Sequence, residues 1–500
     1  MSAPRHPETR EDTLSSILWF ASSNVFRQLL GAVTAFLRPL LLSPEQFGLF
    51  SLLRTLPLYA QRLHFGARGG LRYLMPLYES RGQTHAVAVL KGTVLKAALA
   101  MNGLMAAVLI AIAAWAPDLA IELRLGLLLT AAIALIACLV DHFTAELKGE
   151  QRFRLVGLSN YLGAVALLVF SLPLMLWHGF YGALAGQAIA TGLVLGWMIR
   201  RRIAGRRSGF DWTLLRTAVT LGLPTLLFDV ALLLIRTADR FVITYHAGFE
   251  ALGYYALGTM IAGYLLDIPG ATREVMEGKL FRELDTHSQA EAFRRYAQQP
   301  MVSMSFTMPW IIGPLYLALP VAIGQFLPAY DPGIRSAQWL CLGTWFLAVS
   351  YPIRGVLVAN RWQSAALVIL GIALCLHVGL SWWWLSSGYG IEMVAISTSI
   401  AFLVVLLGTW SMTLLRLGER PAGLARAVLL MTGLPLLTVT VLWLVAQVRL
   451  TDSPWLDLLI QWLIFGVYLA ITGLIAIWLR VIPPRLIRKL TKFRVGSRTR

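Results

Sequence analysis

Ile17-Leu18-Trp19-Phe20-Ala21-Ser22-Ser23-Asn24-Val25-Phe26-Arg27-Gln28-Leu29-Leu30-Gly31-Ala32-Val33-Thr34-Ala35-Phe36-Leu37-Arg38 has the length of a bilayer crossing and is mostly apolar, yet an arginine sits near its middle. Arg54, Arg62 and Arg236 lie equally far from the ends of later apolar runs. An ionisable group at membrane depth is costly and usually faces a bundle interior or a wet cavity, so it marks a pathway. These arginines predict a membrane transporter built around a positively charged chamber.

The rest of the chain agrees with a life in lipid. Its 500 residues are 57% hydrophobic and 14% charged, with a mean hydropathy of +0.68, whereas a soluble domain carries roughly a quarter charged residues. A net charge of +18 raises the question of nucleic acid. Most of the Lys and Arg, however, fall in short connections between apolar runs and in the C-terminal tail, which predicts membrane topology and no nucleic-acid face.

The apolar runs divide into about fourteen helices of bilayer length, starting near Leu14, Gln46, Val89, Leu119, Phe153, Phe180, Thr213, Ala251, Met301, Ala337, Gln363, Ile391, Leu424 and Trp455. Alternate connections differ in charge. One set holds Arg81 and Lys91, Lys148 with Arg152 and Arg154, the run Arg200 to Arg207, Arg282 with Arg294 and Arg295, Arg361, and Arg416 with Arg420; the other holds Arg38, Arg124, Arg335 and Arg449. The excess of basic residues on the cytoplasmic side then puts both termini in the cytoplasm. The polar start Ser2 to Asp12 and a long first run predict that the first span is retained and is no cleavable signal. Cys138, Cys341 and Cys375 lie in spans without motif spacing and read as packing residues, so no disulfide, metal or cofactor is expected.

An internal repeat organises the chain. Glu45, Phe47, Gly48 and Phe50 align with Glu250, Leu252, Gly253 and Tyr255, and Gly149-Glu150-Gln151-Arg152-Phe153 has a counterpart in Ala359-Asn360-Arg361-Trp362 at nearly the same offset. Six spans per unit is an even number, so both units enter from the same side, related by an axis along the membrane normal. The expected fold is all-α and polytopic: an N-lobe over 1–200, a basic linker over 201–211, a C-lobe over 212–416, two further spans over 417–480 and a basic tail over 481–500 that meets anionic lipid.

Within the spans, polar positions follow helical spacing. Asn24, Arg27, Gln28, Gly31 and Arg38 share one face of the first, and Arg54, Gln61 and Arg68 repeat every seven residues in the second, with Arg62 beside them. The candidate substrate-binding residues are therefore Asn24, Arg27, Gln28, Arg54, Arg62 and Arg236. Asp229 and Asp267 are the carboxylates expected deep in the second lobe, for ion coupling or neutralisation of an arginine. Arg38, Asp239 and Arg240 stand close to predicted span ends and are expected to snorkel to the interface. Arg68, Arg72, Asp141, His142, Glu274 and Glu277 are expected at the cytoplasmic surface or in gate ion pairs, and His377 and Gln461 in packing or interhelical bonds. Arginine suits an anionic cargo because its planar fork binds phosphate oxygens bidentately and stays charged.

Leu42-Ser43-Pro44-Glu45-Gln46-Phe47-Gly48-Leu49-Phe50, Ala238-Asp239-Arg240-Phe241-Val242-Ile243 and Glu250-Ala251-Leu252-Gly253-Tyr254-Tyr255 resemble the patterns of Wzx-type polysaccharide-unit flippases of the multidrug/oligosaccharidyl-lipid/polysaccharide exporter superfamily. The resemblance implies two six-helix lobes that alternate access. Its implied cargo is an oligosaccharide on undecaprenyl diphosphate, turned from the cytoplasmic to the periplasmic leaflet for O-antigen, capsule or exopolysaccharide synthesis, with a polymerase and a chain-length regulator as partners. A peptidoglycan-precursor flippase and a cation-coupled drug exporter of the same superfamily are the alternatives. No G-x-x-x-x-G-K-[ST] loop or H-E-x-x-H pair occurs, and the expected outward loops are short, so the chain is not expected to be an enzyme.

Overall fold

A computed structural model describes residues 10–116, 119–201, 209–283, 289–418 and 421–478. Among them the regular structure is helical, without strands. Nine helical stretches are long and apolar enough to cross a membrane by length and composition, and two of these, Phe153–Arg200 and Trp212–Glu274, each contain two passes. Three others fall short of that test, two of them because they are polar, and with them the passes number about fourteen, as the sequence predicts. The basic tail and most of the run Arg200 to Arg207 lie outside the described residues.

By its internal contacts the chain forms two compact units, Met1–Leu233 with Ala247–Gly253, and Leu234–His246 with Tyr254–Arg500. The first contains α1 (Arg10–Leu41), α2 (Pro44–Ala60), α3 (Ala67–Ser80), α4 (Thr84–Trp115), α5 (Ile121–Gly149), α6 (Phe153–Arg200) and most of α7 (Trp212–Ile235). Ser43 caps α2 through the Gln46 amide, and Pro44 occupies the position where a missing N–H costs nothing. Helix α6 reverses at His178 and Gly179, whose φ of 54° marks the turn between its two passes.

The second span is broken over residues 61–66, between α2 and α3. Phe65 and Gly66 both take positive φ, 48° and 88°, and a side chain at position 66 would strike the Gly222 and Leu223 backbone. Gly70 meets Ala218 in the same way, so α7 packs on α3 backbone to backbone along a seam of small residues. Arg68 staples the break to α5: its guanidinium donates to the carbonyls of Gln61 and Cys138, at 3.3 and 2.8 Å, and lies 3.8 Å from Asp141.

The second unit carries α8 (Ala238–Glu283) apart from Ala247–Gly253, α9 (Gln289–Phe293), α10 (Gln299–Thr307), α11 (Pro309–Phe326), α12 (Ile334–Ser350), α13 (Ile353–Ala359), α14 (Gln363–Ser386), α15 (Ile391–Arg416), α16 (Pro421–Val445) and α17 (Pro454–Trp478). Helix α15 is central, packed by α12, α13, α14 and α16. Its buried face, Val394, Ala395, Ala401, Phe402 and Val405, follows the helical period. Gly248, with φ 81°, ends the pass that α7 began, so α8 contains the close of one pass and the whole of the next. Trp115, Trp177, Trp212 and Trp455 are exposed at or near helix ends, where interfacial tryptophans sit.

Candidate functional site

Inside the first unit α1, α2, α5 and both passes of α6 enclose a cavity of about 420 Å³. Each helix presents one face to it. Phe20, Asn24 and Arg27 come from α1 at spacings of four and three, Asp141, Thr144 and Lys148 from α5, and Asn160, Gly163 and Leu167 with Gln187, Thr191 and Val194 from α6. Arg38, three turns beyond Arg27, and Arg54 of α2 complete the lining.

The lining decides what the cavity can hold. Thr144 and Thr191 donate their hydroxyl hydrogens to carbonyls one turn back, at 2.8 Å each, and Ser159 donates to Val156 at 2.7 Å. These groups retain lone pairs for a ligand's hydroxyls but have no hydrogen left to give. The Asn160 amide donates to Asn24 Oδ1 at 3.1 Å and to Ser23 Oγ at 3.2 Å, which holds α6 to α1 and fixes the Asn24 side chain. The charged donors in the lining are Arg27, Arg38, Arg54 and Lys148. Asp141 is the one carboxylate in the lining, and it already faces Arg68. Such a surplus of positive charge in a lipid-embedded protein favours an anion, and guanidinium groups favour one with several oxygens.

Two of the cations rest on aromatic rings. The Arg38 guanidinium stands 4.9 Å above Phe50, and Lys148 Nζ 5.6 Å from the centre of the Phe20 ring. These contacts orient the groups while leaving them charged.

Of the residues named from the sequence, the cavity unites Asn24, Arg27 and Arg54. Among the described residues Arg27 has no carboxylate within ion-pair distance. Gln28 is half-buried elsewhere on α1, and Arg62 is half-buried in the broken turn before α3. Arg236 belongs to the second unit, in the turn between α7 and α8. Asp229 and Asp267 are half-buried, and each has an interaction partner.

Two expectations need correction. Arg38 does not snorkel: only 4% of it is exposed, because α1 runs on to Leu41 and carries it into the bundle. Asp239 is 1% exposed, because the pass that begins with α7 continues to Gly248. Of the two places expected for His142, the structure gives the pair and not the surface: it is buried and meets Glu146 at 2.8 Å. Reasoning from sequence also missed Lys148, Asn160, Gln187 and Thr191. Lys148 counts as a loop charge when the helix is taken to end early, and the others are ordinary polar residues in apolar runs. Their spacing of four from Gln187 to Thr191, and from Thr144 to Lys148, was the available signal.

The architecture is that of the MOP transporters. The structure matches the lipid II flippase MurJ in an inward closed conformation with a TM-score of 0.71 at 16% identity, over 93% of this chain and 99% of that one. It also matches an inward-facing multidrug resistance MATE family transporter of the MOP superfamily, with a TM-score of 0.60 at 14% identity, over 81% of this chain and 95% of that one. A MOP superfamily transporter from Pyrococcus furiosus, described as having a binding pocket of reverse polarity, matches with a TM-score of 0.57 at 14% identity, over 81% and 95% of the two chains. No curated protein matches the sequence. A family model described as polysaccharide biosynthesis protein covers residues 13–268, and the chain belongs to that family.

Proposed function

We propose that the protein flips an undecaprenyl-diphosphate-linked oligosaccharide from the cytoplasmic to the periplasmic leaflet of the bacterial inner membrane, supplying cell-surface polysaccharide synthesis. One observation carries this reading: in a member of a polysaccharide biosynthesis family, four cationic side chains and one carboxylate line a cavity inside the membrane helices. A diphosphate that leaves water needs charged donors in place of its hydration, and Arg27, Arg38, Arg54 and Lys148 supply them. Asn24, Asn160 and Gln187, with the hydroxyl lone pairs of Thr144, Ser159 and Thr191, suit the hydroxyl groups of a sugar. Gln28, Arg62 and Arg236 are assigned to the path the headgroup takes before or after this cavity, and Asp229 and Asp267 to ion coupling or to neutralisation of arginines on that path.

In this reading both termini are cytoplasmic, spans one to six and seven to twelve are duplicated lobes with the linker at 201–211, and the last two spans over 417–480 serve the polyprenyl tail. Its partners are the polymerase and chain-length regulator that receive the unit, and it performs no chemistry on the sugar. Lipid II is the second reading, favoured by the likeness to MurJ. A cationic drug would meet repulsion in the cavity, which argues against the exporter alternative.

In a strain lacking the gene, the double variant Arg27→Ala, Arg54→Ala should insert normally, fail to restore surface polymer and leave repeat units on the cytoplasmic leaflet. Lysine at both positions should restore part of the activity, since it keeps the charge and loses the fork. Full polymer from the double alanine variant would end this assignment.

A further inference from the structure

The second unit holds a buried polar cluster that the cargo site does not use. Asp239 accepts hydrogen bonds from the Arg240 amide at 2.8 Å and from the Tyr255 hydroxyl at 2.7 Å. Among the described residues it has no ion pair. Tyr255, fully buried, also meets Thr398 of α15 at 3.1 Å, and Thr398 reaches the Val394 carbonyl at 3.0 Å. One residue earlier, Ser397 donates to that carbonyl at 2.8 Å and meets two groups of α14, Ser381 at 2.6 Å and His377 Nδ1 at 2.9 Å. His377 is 0% exposed, and its Nε2 has no hydrogen-bond partner.

The hydrogens in this cluster can run in two directions. With Asp239 ionised, Tyr255 donates to the carboxylate, and Thr398 donates to Tyr255 or to the Val394 carbonyl. With Asp239 protonated, the carboxyl donates to Tyr255, Tyr255 to Thr398, and Thr398 to Val394. Both arrangements satisfy every oxygen with the heavy atoms unmoved. The neighbouring imidazole has one nitrogen matched by Ser397 and one left over in either neutral tautomer, a buried polar atom that asks for an explanation. A metal ion fits less well, because it needs roughly 2.0–2.6 Å to each ligand and would push apart oxygens that already touch.

We propose that Asp239 and His377 form a proton-binding site, and that proton passage through it from the outside to the cytoplasm drives cargo outward, a coupling that rests on the flippase reading above. The two groups are linked through consecutive residues of α15, Thr398 on the side of Tyr255 and Asp239 and Ser397 on the side of His377. Arg240 joins Asp239 in acting on Tyr255. The elements packed around the cluster bring other ionisable groups, Arg335 and Cys341 on α12, Arg354 on α13, Cys375 on α14, and Glu392 and Arg416 at the ends of α15.

The test uses purified full-length protein in two ways. Infrared titration of the protein alone should reveal a carboxyl C=O band that disappears as pH rises and is missing from Asp239→Asn, which keeps the size and acceptor of the original. His377→Gln, which retains a bond to Ser397, should move the midpoint of that band. In vesicles with undecaprenyl diphosphate carrying one fluorescent sugar, an outside-acid gradient of one pH unit should shift the steady-state leaflet ratio by up to about tenfold in the wild type and leave it unmoved in Asp239→Asn. A band that survives Asp239→Asn, or flipping driven by a sodium gradient and indifferent to pH, would overturn the proposal. If no protein moves the lipid while the band titrates and vanishes in Asp239→Asn, the proton site stands and the flippase reading falls.

Discussion

The cavity of the first unit and the cluster around Asp239 in the second are both polar sites in an apolar protein, built on opposite plans. In the cavity, cations outnumber the carboxylate four to one and surround an open volume of about 420 Å³, and the hydroxyls are tied to their own helices. Around Asp239 the hydroxyls of Ser397 and Thr398 also reach a carbonyl of their own helix, but they bond in addition to hydroxyls on other helices, and Tyr255 bonds to the carboxylate. The difference follows from what each would bind. A large anion needs space and a surplus of donors, whereas a proton needs only a chain of hydrogen bonds that can reverse.

Substitutions can break that contrast. The largest effect is expected from the paired loss of Arg27 and Arg54 described above. Arg38→Ala comes next: removal of one charged donor should lower transport by about 10–100-fold, the equivalent of roughly 1.5–3 kcal/mol. Arg240→Ala should have little effect on cargo binding, since Arg240 is not part of the cavity lining. The two arginines look alike in sequence, so equal losses of undecaprenyl diphosphate binding would show that the cavity lining does not define the cargo site. Asn160→Ala should be milder, because it removes two neutral hydrogen bonds worth about 0.5–1.5 kcal/mol each and frees Asn24 to move. Its signature is weakened cargo affinity with maximal rate retained, read from the dependence of flipping on lipid concentration.

These two sites also explain what could be read from the chain. Asn24, Arg27 and Arg54 were legible because a polar residue in the middle of an apolar helix has few benign explanations, and helical spacing assigns it a face. Arg38 and Asp239 misled for a shared reason. Depth was judged from the distance to the end of an apolar run, while the helices themselves continue, α1 to Leu41 and the pass through α7 to Gly248. Hydropathy locates the edge of an apolar stretch, and a polar site placed near that edge makes the stretch look shorter than the helix. The same effect explains why α1 and the α2–α3 pair are not among the nine stretches that qualify as spans by composition. His377 was correctly expected to bond between helices, and it does so with Ser397. Its idle Nε2 depends on burial by neighbours far away in sequence, which no local pattern encodes.

The central claim is that the cationic cavity binds a polyprenyl diphosphate, and thermal unfolding of the purified protein with added undecaprenyl diphosphate tests it most directly. A ligand that binds only the folded state stabilises it by about 2.7 kcal/mol at one hundred times its Kd. The wild type should therefore unfold at a higher temperature in the presence of the lipid, with less gain from the monophosphate, and the Arg27→Ala, Arg54→Ala variant should gain little from either. Equal stabilisation of wild type and double variant by the diphosphate would contradict the account.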